Sequence, residues 1–196
     1  MTPAQQPGKS ELMRLFLGAA LPVAWQQTLN DWVSAQPRLP GLRWVPAENW
    51  HLTVYFFGGI PPEMLENLKG LLTLGLQGSV SFDLPFDGFA LAPQPSRARM
   101  IWARFQRHPA FQALVDQIHP LFLQIQPNHQ MRHKPIPHVT LARLRDPAAI
   151  EGLGWPSPPA ESDFPLQKLT LYQSVLVEGN RCYEPLHQWT LGRGNS

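Results

Sequence analysis

Twenty-two prolines scattered through 196 residues constrain this chain more than any other feature. Each fixes φ near −65° and removes a backbone donor, so an all-helical bundle or a coiled coil is excluded. With 14 glycines they make up about 18% of the chain, above average usage but short of low-complexity composition. At 43% hydrophobic, the sequence has enough apolar residues for a sizeable core, and its length suits one domain or two small lobes sharing a core. No apolar run approaches the ~20 residues a membrane span needs, so no membrane partner is expected. Arg14 is followed by an apolar stretch to Leu21 that loosely resembles an export signal. Glu11 and Pro22 at its two ends argue against that reading. The single cysteine, Cys182, allows neither an internal disulfide nor a Cys-rich zinc site. A cytoplasmic location is therefore expected.

Hydrophobic periodicity then divides the chain. Residues 1–10 read as a disordered tail, and 11–196 as one domain. Strands are predicted at 13–20, 51–57 (stopped by Gly58 and Gly59), 80–91, 99–105, 137–141, 167–177 and 181–191. Helices are predicted at 22–36, 61–76 and 109–125, each with proline at its start. Residues 38–49, 126–137 and 147–165 read as loops. The order mixes hairpins with helices, which predicts an α+β fold, not a regular parallel alternation. A weak internal echo also appears, because a helix precedes each of two short His-x-Thr strands, at 51–53 and 138–140.

Side chains at i and i+2 of a strand share a face. His51 therefore lies beside Thr53, and His138 beside Thr140, while Leu52, Val54, Val139 and Leu141 point to the core. Strict alternation also sets Tyr55 and Phe57 on the face of His51 and turns Phe56 inward, although aromatics in such a run are more often core. With seven histidines and seven threonines, chance supplies about 0.25 His-x-Thr matches, and two in matching strand contexts are a specific signal. One copy alone reads as an ordinary strand histidine bonded to its neighbour.

A metal site needs further ligands, and there is no His-x-His, no His-Glu-x-x-His, and no carboxylate among residues 49–58 or 136–143. No metal or other cofactor is expected. Two imidazoles suit acid–base chemistry near neutrality, one protonated and one neutral. Two hydroxyls and an arginine beside them would cradle a tetrahedral phosphate.

Two His-hydrophobic-Thr-hydrophobic motifs 87 residues apart resemble the signature of the 2H phosphoesterase superfamily. The wider context is similar to its bacterial LigT-like branch, the RNA 2′,3′-cyclic phosphodiesterases also called 2′-5′ RNA ligases. The similar stretches are Arg14–Leu17 through Leu21-Pro22, Trp44–Asn49 into His51–Val54, Pro137–Arg143, and Leu169–Tyr172 through Tyr183–Leu186 to Trp189. The resemblance implies a two-lobed antiparallel-sheet fold with pseudo-two-fold symmetry about a central groove, and helices on the outer faces. It implies His51 as proton donor, His138 as proton acceptor, Thr53 and Thr140 as partners of the phosphoryl oxygens, and Arg143 as a phosphate contact. Alternation would set Arg143 opposite His138, so the strand must end or twist by Ala142 for Arg143 to reach the groove. Where the family often has an aromatic two residues before the second histidine, this chain has Ile136.

Net charge is only +2, but Arg97, Arg99, Arg104, Arg107, Arg132, Lys134, Arg143 and Arg145 face Asp116 alone across residues 97–145. A basic half suits an anionic ligand such as an RNA end. Arg132 and Lys134 in the 126–137 loop are candidates for contacts to RNA backbone. His108, His119, His129, His133 and His187 lack the strand context, and Trp25 and Trp32 sit at helical spacing as core residues. The expected activity is metal-independent opening of RNA 2′,3′-cyclic phosphate ends to 2′-phosphomonoesters, with small cyclic nucleotides as further ligands and a monomeric protein. Two alternatives stand beside it. One is a non-catalytic RNA-end or nucleotide-binding module; the other is a phosphodiesterase or ligase acting on 2′-5′ linked oligonucleotides.

Overall fold

The computed structural model describes residues 11–36, 38–94, 97–131, 135–145 and 163–193. The expected tail at 1–10, the candidate RNA contacts Arg132 and Lys134, and all but the end of the predicted 147–165 loop lie outside them. Along the chain come β1 (Met13–Ala20), α1 (Val23–Ala35), β2 (Leu42–Trp44), β3 (His51–Ile60), α2 (Leu65–Gly75), β4 (Phe82–Leu84) and β5 (Phe86–Ala92). β6 (Met100–Phe105), α3 (Pro109–Phe122), β7 (His138–Leu144), β8 (Phe164–Leu166), β9 (Lys168–Val177) and β10 (Asn180–Thr190) follow. The fold is α+β, dominated by antiparallel sheet, as expected. No helix among the described residues is long and apolar enough to cross a membrane.

Three boundaries differ from the sequence reading. β3 continues through Gly58 and Gly59 because Gly58, at φ 79°, takes a conformation open to glycine at no cost. Pro85 lacks the N–H a continuous strand would need, and the predicted 80–91 strand is split there into β4 and β5. Two short strands, β2 and β8, occupy stretches read as loops. Neither could be recognised without the strand it pairs with.

One sheet runs β10-β9-β1-β3-β7-β6-β5, with β2 also on β7, and β4 and β8 form a separate pair. One face carries the helices. α1 buries Trp25, Leu29 and Trp32 at i, i+4 and i+7. Trp25 meets Phe86 and Phe105 with ring centroids 5.0 and 5.3 Å apart, and Trp32 meets Trp44 at 5.3 Å. α3 begins with Pro109 after His108, whose side chain accepts from the Ala110 N–H, and lays Phe122 against Tyr55 and Phe57 of β3. Burying a side chain such as Leu29 completely stabilises by roughly 2 kcal/mol, so these contacts fix the sheet's rear face.

The two halves of the sheet repeat one another. β1-α1-β3 and β6-α3-β7 are each strand, helix, antiparallel strand, and each ends in a His-x-Thr strand. The register agrees residue by residue. Thr53 pairs with Gly18 and Tyr55 with Leu17, so Val54 is an extra residue in β3. Thr140 pairs with Trp102 and Ala142 with Ile101, so Leu141 is an extra residue in β7. Such a one-residue bulge reverses the inward–outward alternation beyond it. Both bulges fall three residues after the histidine.

Candidate active site

β3 and β7 meet at the centre of the sheet through the pairing Leu52↔Val139. Continuing that antiparallel register by one residue in each direction sets His51 across from Thr140 and Thr53 across from His138. All four side chains then lie on the face opposite the helices, because Leu52 and Val139 are fully buried toward them. The structure thus brings together both predicted motifs, with the two histidines diagonal to each other across the ladder and near enough for the charge of His138 to act on His51.

Each imidazole is held the same way. His51 Nδ1 lies 2.8 Å from the Asn49 carbonyl, and His138 Nδ1 lies 2.7 Å from the Ile136 carbonyl. A carbonyl oxygen can only accept, so Nδ1 carries the hydrogen in both rings and Nε2 is the atom left for chemistry. Asn49 is itself anchored, its Nδ2 donating to the Arg181 carbonyl at 2.9 Å.

The walls around the two rings differ. His51 sits among Phe16 and Tyr183, each with its ring centroid 4.7 Å away, and Tyr172 at 6.2 Å. Gly18 makes room for this, since a Cβ there would stand 2.8 Å from the Leu52 carbonyl oxygen. At the matching register position in the other half is Trp102, whose ring stacks on His138 with centroids 3.8 Å apart and planes 22° apart. Burial pushes the His51 pKa down to about 4, and the charges of His138 and Arg143 act in the same direction. Burial also pushes His138 below its ordinary value. Both rings are therefore neutral at pH 7 in the free protein, and a bound anion would favour protonation of either.

Arg143 reaches this face without the strand ending. The bulge at Leu141 leaves Leu141 and Ala142 both buried and turns Arg143 outward beside Thr140. Its NH1 lies 3.8 Å from the Met100 sulfur. The matching bulge overturns strict alternation in β3. Tyr55 and Phe57 are core residues, at 2% and 1% exposed, whereas Phe56 is 64% exposed on the face of His51. Phe16, Tyr172, Tyr183 and Trp102 were not picked out as site residues from the sequence, because cross-strand register, not spacing, brings them to the histidines.

Beside His51 opens a recess of about 310 Å³, lined by Ala20, Gln26, Ala47–Trp50, Tyr172 and Tyr183. Its size and aromatic wall suit a nucleoside. A larger opening, formed by Ile125–Gln130, shares no residue with the site. Among the described residues no three His, Cys, Asp or Glu side chains gather as a metal would require.

A family model described as LigT like Phosphoesterase matches residues 20–102, which include His51 but not His138. A relative from Escherichia coli strain K12, named RNA 2′,3′-cyclic phosphodiesterase, is 30% identical over 93% of this chain and 98% of its own length. One of that name from Thermotoga maritima is 22% identical over 76% of this chain and 79% of its own. Among solved structures, E. coli LigT complexed with 3′-AMP superposes with a TM-score of 0.73 at 27% identity, covering 93% of this chain and all of that one. The likeness thus extends along nearly the whole chain, and the protein belongs to the LigT-like phosphoesterase family.

Proposed function

We propose that this protein opens 2′,3′-cyclic phosphates at RNA ends to 2′-phosphomonoesters, using its two histidines and no metal ion. The observation that carries the reading is the pair of imidazoles on adjacent central strands, each locked by a backbone carbonyl so that Nε2 is free. The relatives named RNA 2′,3′-cyclic phosphodiesterase support the choice of substrate.

The phosphate sits between the two strands. His138 Nε2, neutral, takes a proton from the attacking water, and His51 Nε2 gives one to the departing 3′ oxygen. That order of roles follows the resemblance to the 2H phosphoesterases. Burial makes His51 a poor proton carrier in the free protein, so its protonation accompanies the arrival of the phosphodiester anion. Thr53 and Thr140 donate hydrogen bonds to the phosphoryl oxygens, and Arg143 offsets the charge that gathers in the transition state. Only the P–O3′ bond breaks, the ribose keeping its phosphate through O2′, and because the 3′ oxygen departs toward His51 the ribose lies on the His51 side, where the aromatic recess is.

Incubating metal-stripped protein with a 2′,3′-cyclic-phosphate oligonucleotide in EDTA, and identifying the product, tests this. A 2′-phosphomonoester is expected. A 3′-phosphomonoester, or turnover only on adding a divalent cation, would overturn it.

A further inference from the structure

β2 and β3 lie end to end along one edge of β7, β2 opposite Ala142–Leu144 and β3 opposite Val139. Within that arrangement Arg43 of β2 is the direct register partner of Arg143 of β7. Opposed residues of an antiparallel pair share a face, so Arg43 stands on the groove side of the sheet, and on the His51 side of β7. Two guanidinium groups placed directly opposite one another repel. Neither is ion-paired with a carboxylate among the described residues. Among the described residues the Arg43 side chain makes one hydrogen bond, NH2 donating to Asn180 Oδ1 at 2.9 Å across to the β9–β10 hairpin. The rest of its fork is left to donate. Such a pair of cations is stabilised by anions.

The chemistry of the substrate says where a second phosphate lies. With water attacking opposite the 3′ oxygen, that oxygen points toward His51. The chain continues from C3′ through C4′ and C5′ to the preceding phosphodiester, which therefore falls on the His51 side. We infer that Arg43 binds this upstream phosphodiester, making the protein selective for RNA oligonucleotides over mononucleoside cyclic phosphates. The inference rests on the proposed reaction and names the substrate class of that site.

Three substrates test it with the full-length protein: a mononucleoside 2′,3′-cyclic phosphate, a dinucleotide ending in the same group, and that dinucleotide with a neutral methylphosphonate upstream. The dinucleotide phosphodiester should exceed the methylphosphonate at least tenfold in kcat/KM. R43Q should bring the two within about twofold, R43K should restore part of the gap, and the log–log salt slope for the phosphodiester should fall by about 0.7 in R43Q. Equal rates on the two dinucleotides, or full discrimination kept by R43Q, would overturn the assignment. If no cyclic phosphate is opened at all, the proposed reaction fails. Calorimetric binding of the corresponding 2′-phosphorylated dinucleotides then decides the Arg43 site by itself: preference for the charged linkage keeps it, and equal affinity removes it.

Discussion

Arg143 stands on β7 where Phe56 stands on β3, each five residues beyond its histidine and past a one-residue bulge, at Leu141 and Val54 respectively. The repeat thus places equivalent positions on both sides of the groove and fills them with opposite chemistry. One side has a guanidinium and the other an exposed phenyl ring that lies 5.9 Å from Phe16. At this one pair of positions the strand of His138 carries a charge and the strand of His51 an apolar ring.

The first consequence concerns Arg143. R143A should lower kcat/KM by about 10²–10³, the usual cost of losing a transition-state charge partner. R143K should recover only part, because an ammonium lacks the planar fork. Arg143 also helps hold the His51 pKa down, so an NMR titration of free R143A should show His51 titrating at higher pH than in the wild type.

The buried histidines make stability fall in acid. The folded-state His51 pKa lies near 4, below the unfolded value near 6.5, so the unfolded chain binds the extra proton. From pH 6.5 downward this group should cost about 1.4 kcal/mol per pH unit, levelling off near pH 4. His138 acts in the same direction. Denaturant titrations should show H51A losing less stability than wild type across that window. In turnover, the bound anion raises the histidine pKa values, so the alkaline limb of kcat should lie at higher pH than that of kcat/KM. Coincident limbs would contradict the account.

Gly18 is required by space. A methyl group there meets the Leu52 backbone oxygen at 2.8 Å and approaches His51 Cδ2 to 3.6 Å. Backbone cannot swing aside as a side chain can, so G18A should destabilise by roughly 1–3 kcal/mol. It should also lower kcat, since β3 moves with His51. Unchanged denaturation and kinetics would count against this packing.

How much of this was legible in the chain is shown by those same strands. His51, Thr53, His138 and Thr140 were readable because i, i+2 spacing is local, and the helix around Trp25, Leu29 and Trp32 was readable from its period. Strict alternation put Phe56 inward and Tyr55 and Phe57 beside His51, and only their aromatic character favoured the core for Tyr55 and Phe57, because a bulge leaves no local mark and reverses every side chain beyond it. Arg143 could be placed only by the resemblance, for the same reason. Arg43, Phe16 and Trp102 depend on which strands pair, a long-range choice that no window of sequence contains.

Trp102 positions His138 through the stacked pair at 3.8 Å. W102A opens one face of the imidazole to water and removes part of the burial that lowers its pKa. The His138 titration should move up toward 6.5, with kcat falling about tenfold and KM changing less. W102F, which keeps an aromatic face, should stay closer to wild type on both counts.

The central claim, that His51 and His138 act as a unit on one phosphorus atom, is tested most directly by H51A, H138A and the double variant on a 2′,3′-cyclic-phosphate dinucleotide, with circular dichroism confirming the fold. Each single variant should lose at least about 10² in kcat, and the double variant should be scarcely worse than either. A single variant that keeps turnover within tenfold of wild type, or a double variant whose loss is the product of the two, would contradict the account.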